Sequence, residues 1–179
     1  MSTAVHTNSG GRLDFSDLQP TEIHLSDIVC SLSREGRWIN SLNVRFSVSQ
    51  HSCLVHDYCP DEIKRFAILH DGSEAYMRDL PKPLKNLCPG YRDIEQSLQG
   101  MIYYKYCGRW PMMKEITKLK KVDLEMTKAE GMRWHPRYDR SWFPGVETLV
   151  VPEIASVWDE KRAKKEMYKR LEDLGIRED

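Results

Sequence analysis

The chain has 179 residues, and its 27 basic side chains balance 27 acidic ones to a formal net charge of zero. That length can bury a sizeable core unaided and fits one domain over 1–179, while the charge balance excludes a global field that would draw it to nucleic acid or a membrane surface. No apolar run is long enough to span a bilayer, and five cysteines without a CxxC pair argue for reduced thiols rather than a disulfide framework or a zinc-thiolate knot.

In chain order, Met1 to Thr7 lacks the basic start and apolar stretch of a signal peptide, so the expected compartment is the cytoplasm. Ser9 to Phe15 reads as a turn and a short extended piece before Pro20. Ser26 is the expected N-cap of a first helix through Ile28, Val29 and Leu32, ending near Gly36. A second helix is expected from Ser47 to Tyr58, stopping before Pro60 because the residue ahead of a proline avoids the helical region. Asp61 is the expected cap of a third, with Ile63, Phe66, Ala67 and His70 on one stripe. That helix continues through Ala75-Tyr76-Met77 until Pro81 and Pro83 break it.

Pro89-Gly90 opens a fourth helix with Ile94, Leu98, Met101 and Ile102 at helical spacing, ending near Gly108. A fifth runs from about Lys114 to Glu130 with Ile116, Leu119, Val122 and Met126 inward. The stretch 132–145, rich in Trp, Arg, Pro and His, reads as irregular. Thr148-Leu149-Val150-Val151 reads as a strand or extended chain. Pro152 to Leu174 reads as a last helix, apolar at Ala155, Trp158, Met167 and Leu171. The fold class is all-α, a helical bundle with a short extended N-terminal piece.

Four polar residues interrupt these apolar patterns: His51, the adjacent His70-Asp71, and Asp123. The second and third helices are joined by a short turn at Pro60, so they lie antiparallel. His51 precedes Pro60 by nine positions and His70 follows it by ten, which puts both imidazoles roughly 14 Å from the turn at one level. Asp123 sits between Leu119 and Met126, on an inward arc where an unpaired carboxylate is costly. Two imidazoles and two carboxylates suit a borderline divalent ion. Satisfied core histidines and a capping or Arg-paired Asp account for the same spacing, and spacing alone does not choose between the two. A second pair, His56-Asp57, reads as surface.

The order His51…His70-Asp71…Asp123, centred on His70-Asp71-Gly72-Ser73-Glu74-Ala75-Tyr76, resembles the HD-domain metal-dependent phosphohydrolases. The likeness extends over nearly the whole chain. Ser9 to Asp14 with Ile28 to Ser33 resembles the opening of a compact phage and prophage branch, and Phe46 to Ser52 its first ligand segment. Asp79-Leu80-Pro81-Lys82-Pro83-Leu84-Lys85 and Pro89-Gly90-Tyr91-Arg92 match the stretch that follows. The resemblance implies one divalent transition metal (Zn, Co or Mn) on His51, His70, Asp71 and Asp123, with Glu74 as acid/base carboxylate beside Asp71.

Arg37-Trp38 lies fourteen residues before His51, as in HD-type 5′-deoxynucleotidases and related phage dATP triphosphohydrolases. There the Arg binds nucleotide and the Trp excludes a ribose hydroxyl, while Asp79 matches a sugar-holding carboxylate. Many members of the compact branch carry Phe where this chain has Trp38, a departure toward the deoxy-selective kind. Lys82 and Lys85 are candidates for further phosphates or ordinary surface residues. The implied activity is dNTP triphosphohydrolysis releasing deoxynucleoside and triphosphate. The alternatives are a dNMP 5′-nucleotidase releasing orthophosphate and a nucleotide-binding protein without turnover. The implied partner is a small-molecule deoxynucleotide, in a dimer or hexamer, with no membrane. The basic-aromatic run Arg133 to Tyr138 is the one hint of nucleic-acid binding, and zero net charge does not support it.

Overall fold

The computed structural model describes residues 2–146, 154 and 156–178. It is mostly helical, with α1 Leu25–Arg34, α2 Val48–Tyr58, α3 Lys64–Ile68, α4 Glu74–Met77, α5 Lys82–Lys85, α6 Pro89–Cys107, α7 Met113–Trp134 and α8 Glu160–Asp173. The only sheet among the described residues is the antiparallel pair β1 Ala4–His6 and β2 Arg12–Asp14, with Val5 opposite Leu13. The all-α expectation with a short extended N-terminal piece therefore holds. No helix among the described residues is long and apolar enough to cross a membrane.

α2 is the central helix, packed against α1, α3, α7 and α8. Its start is well specified: the Ser47 hydroxyl accepts from Gln50 N, satisfying one of the free amides of a helix N-terminus. Because helices surround it, even its polar residues Ser49, Gln50, His51 and Ser52 are buried. α8 buries Ala163, Met167 and Leu171, an i, i+4, i+8 stripe that closes the core over α1 and α2. The N-terminal hairpin is tied on through Asp27, whose carboxylate accepts from Ser9 N at 2.5 Å and Ser9 Oγ at 2.9 Å.

Several expected boundaries move for identifiable reasons. α1 begins at Leu25, with Ser26 inside it rather than capping it. The cap comes from the far end of the chain, where Glu178 accepts from Ser26 N at 3.2 Å. Asp61 opens a separate 3-10 turn, Asp61–Ile63, and makes no side-chain cap bond for α3. The single helix expected from Asp61 to Met77 is two short helices, with residues 69–73 forming a turn between them. Pro81 and Pro83 do not end a helix but start α5, where a missing N–H is harmless. α6 ends as expected on Gly108, in the left-handed conformation with φ 77°. α7 runs on to Trp134, into the region expected to be irregular. α8 starts at Glu160 on an Asp159 cap rather than at Pro152. The expectation for 148–151 lies outside the described residues.

Candidate functional site

Two local devices bring the polar residues together. Gly36 and Ser47 form an isolated antiparallel bridge, which staples Arg37-Trp38 beside the first turn of α2. Trp38, Ile39 and Asn40 then all adopt positive φ, at 58°, 46° and 59°, a costly conformation for side-chain-bearing residues. Gly36 permits it, since a Cβ there would fall 1.9 Å from Asn40 Oδ1. The second device is the turn after α3. Gln99 of α6 clamps it, accepting from Ser73 N at 3.0 Å and donating to Leu69 O at 2.8 Å. Ile102 lies so close that a Cβ on Gly72 would meet it at 3.1 Å. The turn presents His70 and Asp71 toward α2.

His51 is fully buried, at 0% exposure. Its Nδ1 lies 2.5 Å from Glu130 Oε1, and His70 Nδ1 lies 2.8 Å from Ala67 O. A carbonyl and an ionised carboxylate only accept, so each ring donates from Nδ1 and turns Nε2 inward. The two Nε2 atoms are 3.3 Å apart. Asp71 Oδ2 is 3.2 Å from His70 Nε2 and 3.7 Å from His51 Nε2. Asp123 Oδ1 is 3.0 Å from His51 Nε2 and 3.8 Å from His70 Nε2. His51, His70 and Asp71 therefore converge, and Asp123 reaches both imidazoles without joining the group whose ligand atoms all lie close to one another. Asp123 differs from expectation in exposure: its side chain is 37% exposed, because it faces a cavity rather than the packed core.

The ligand atoms of His51, His70 and Asp71 lie within 4.8 Å of one another, so this cluster can hold a metal ion. The donor set fits one. Asp71 Oδ2 is buried without a hydrogen-bond partner, and an orphaned carboxylate oxygen beside two inward imidazole nitrogens is a cation's environment. The tying back of both Nδ1 atoms is the outer-shell arrangement that orients imidazole ligands. The same carboxylates favour the protonated form of both imidazoles. Burial and the Arg37 charge disfavour protonated His51, but Glu130 and the bonds to Asp123 and Glu130 outweigh them and raise its pKa to about 9. Partial burial of Asp123 is likewise outweighed by bonds from His51 and His70, which hold its pKa well below the carboxylate range.

Beyond the cluster, Glu74 is 7% exposed, with Oε1 3.4 Å from Lys85 Nζ and Oε2 buried without a partner. Burial, then the charges of Asp71 and Asp79, push its pKa well above the usual value. Burial also raises Asp79. Arg37, Trp38, Asp79, Lys82 and Lys85 all line one cavity of about 700 Å³ with Asp71, Glu74 and Asp123. Arg37 is heavily engaged there: Nε donates to Glu130 at 2.9 Å, Nη2 to Thr127 at 2.9 Å, and Nη1 lies 3.5 Å from Asp71. Trp38 donates Nε1 to Glu130 at 2.9 Å, and its ring meets His135, Trp142 and Phe143. Lys85 pairs with Glu95 at 2.5 Å as well as with Glu74, whereas Lys82 is exposed and makes no ion pair among the described residues.

The surface reading holds for Asp57, which is exposed, but not for His56, which is buried at 8% exposure; Asp57 accepts from Arg170 at 2.6 and 2.8 Å and so anchors α8 to α2. Glu130 and Gln99 were not expected at the site. Glu130 had a signal, since it lies seven residues after Asp123 and so two turns along the same face of α7. Gln99 had only its place next to the inward Leu98.

These observations define a helical protein with a candidate metal centre beside a cavity of about 700 Å³. No family model matches the chain. It is 34% identical over 153 residues to the uncharacterized protein YfdR of Escherichia coli strain K12, covering 86% of this chain and 84% of the relative. The chain belongs to the same family as YfdR. An uncharacterized protein of Rhodobacter capsulatus is 28% identical over 108 residues, 55% of each chain.

Proposed function

We propose that this chain is a metal-dependent phosphohydrolase of the HD-domain type that acts on 2′-deoxynucleotide phosphates. The observation that carries the reading is the convergence of His51 and His70 Nε2 with Asp71 and Asp123, beside a buried Glu74 and a cavity walled by Arg37 and Trp38. His51, His70, Asp71 and Asp123 would hold a Zn, Co or Mn ion. Such an ion supplies charge stabilisation to a phosphoryl oxygen and acidifies a water at neutral pH.

Glu74 then serves as the proton carrier. Its unpartnered Oε2 takes a proton from the attacking water as the P–O bond forms. The same proton goes to the nucleoside oxygen as the P–O5′ bond breaks. Lys85 steadies Glu74 through the contact at 3.4 Å. Trp38 has little freedom, because its indole N–H is pinned and its ring is packed, and so it excludes a 2′-hydroxyl by bulk. Arg37 carries positive charge at the phosphate end, and Asp79 accepts from the sugar. Trp142 and Phe143 give the base a stacking wall.

A dNTP triphosphohydrolase is the first reading, from the likeness of the whole frame to the phage branch. A dNMP 5′-nucleotidase is favoured by a separate observation: Arg37 and Lys85 are already paired, which leaves Lys82 as the cavity cation without an ion-pair partner among the described residues. The test is a panel of dNTPs, dNMPs and ribonucleotides with Co, Mn or Zn, the products read by phosphorus NMR. Triphosphate release supports the first reading and orthophosphate alone the second. No release from any deoxynucleotide would overturn both.

A further inference from the structure

One carboxylate joins the candidate metal centre to the wall of the cavity. Glu130 is fully buried, at 0% exposure. Its Oε1 meets His51 Nδ1, while its Oε2 accepts from both Arg37 Nε and Trp38 Nε1 at 2.9 Å. Burying a carboxylate is costly unless its acceptor sites are filled and its charge is paired. Here three donors fill them, one of them a guanidinium. Two of those donors, Arg37 and Trp38, belong to the turn in which Trp38, Ile39 and Asn40 carry positive φ, a strain of about 1–3 kcal/mol per residue that needs surrounding bonds to persist.

We propose that Glu130 is a positioning residue that sets both halves of the site: Oε1 keeps the His51 Nε2 lone pair open toward the metal, and Oε2 fixes the Arg37–Trp38 wall. The proposal rests on the metal-dependent reading above. Its logic is the direction of the hydrogen bonds. An ionised carboxylate has no proton to give, so His51 Nδ1 donates and the lone pair stays on Nε2. In Glu130→Gln the amide oxygen still accepts from Arg37 and Trp38, which leaves the amide NH2 facing Nδ1. Nδ1 must then accept, the ring proton moves to Nε2, and the ligand position closes. The opposite amide orientation sets NH2 against two donors, one of them charged, and is the worse choice. A side chain that only filled space would tolerate this near-isosteric change at both ends.

The test compares metal-stripped wild type with Glu130→Gln, titrated with Zn²⁺ against a competing chelator, with circular dichroism and tryptophan emission as checks of fold and wall. The expected result is wild-type emission with metal affinity at least about 10-fold weaker, the scale of outer-shell losses. Equal affinities would overturn the proposal. Wild type that takes up no metal would instead overturn the metal-dependent reading on which it rests. If the variant fails to fold, nitrogen NMR of the imidazoles in zinc-loaded wild type decides. A proton on His51 Nδ1 with zinc on Nε2 supports the proposal, and the reverse refutes it.

Discussion

Gln99→Leu tests whether the turn bearing His70 and Asp71 is held from outside. The substitution conserves volume but removes two bonds, from Ser73 N at 3.0 Å and to Leu69 O at 2.8 Å. Both backbone groups are buried, but Leu69 O still accepts from Gly72 N at 2.9 Å, so only Ser73 N is left unsatisfied. The orphaned amide costs about 1–3 kcal/mol and the bond lost at Leu69 O about 0.5–1.5 kcal/mol, of which the buried Leu returns about 1.5–3 kcal/mol. The mid-range net loss is about 1 kcal/mol, which for a chain of this size lowers Tm by roughly 2–4 °C. Thermal unfolding followed by circular dichroism measures it, and metal titration of the same variant reads the site. The expectation is a lower Tm together with weaker metal binding, because the turn positions two of the proposed ligands, His70 and Asp71. A variant with wild-type Tm and wild-type affinity would show that the i→i−3 bonds of residues 69–76 suffice, and would refute the clamp.

Glu74→Gln separates activity from stability. It removes a buried charge facing Asp71 and Asp79, so Tm should hold or rise while hydrolysis falls at least about 10²-fold; an unchanged rate would remove Glu74 from the mechanism. Trp38→Ala should let ribonucleotides compete in the substrate panel, and unchanged sugar selectivity would count against exclusion by bulk. Asp57 bears on acid stability. Burial opposes its charge, but bonds from His56 and Arg170 lower its pKa from 3.8 to about 2. A depressed carboxylate stabilises the fold above its unfolded pKa and loses that contribution as pH falls through the folded one. Wild type and Asp57→Asn should therefore differ in Tm above about pH 4 and converge near pH 2. Parallel Tm curves across that window would show that the Arg170 pair contributes nothing.

What was legible in the sequence was local or periodic. The start of α2 near Ser47, the end of α6 at Gly108 and the stripe of α6 read correctly because helix ends and 3.6-residue spacing act within a few residues, whereas of the stripe expected in the last helix only Met167 and Leu171 fall in α8. The pairing of His51 with His70 followed from one short turn between two helices. The failures were non-local. Ile63, Phe66, Ala67 and His70 fit a helical stripe, yet the chain turns after Ile68, where Gln99 of another helix supplies the bonds. Ser26 is a good cap by type, but Glu178 reaches its amide from 152 residues away. Asp123 sat on an inward arc, and only the cavity beside it explains an exposure of 37%. Groups that face a ligand announce themselves as polar breaks in apolar stripes. Those that hold them in place do not, since a buried Gln or Glu with every bond made has the composition of an ordinary helix surface. Glu130 is the instructive exception: read as i+7 from Asp123, it lies on the face that already carried a candidate ligand, and a second carboxylate there needed its own partners.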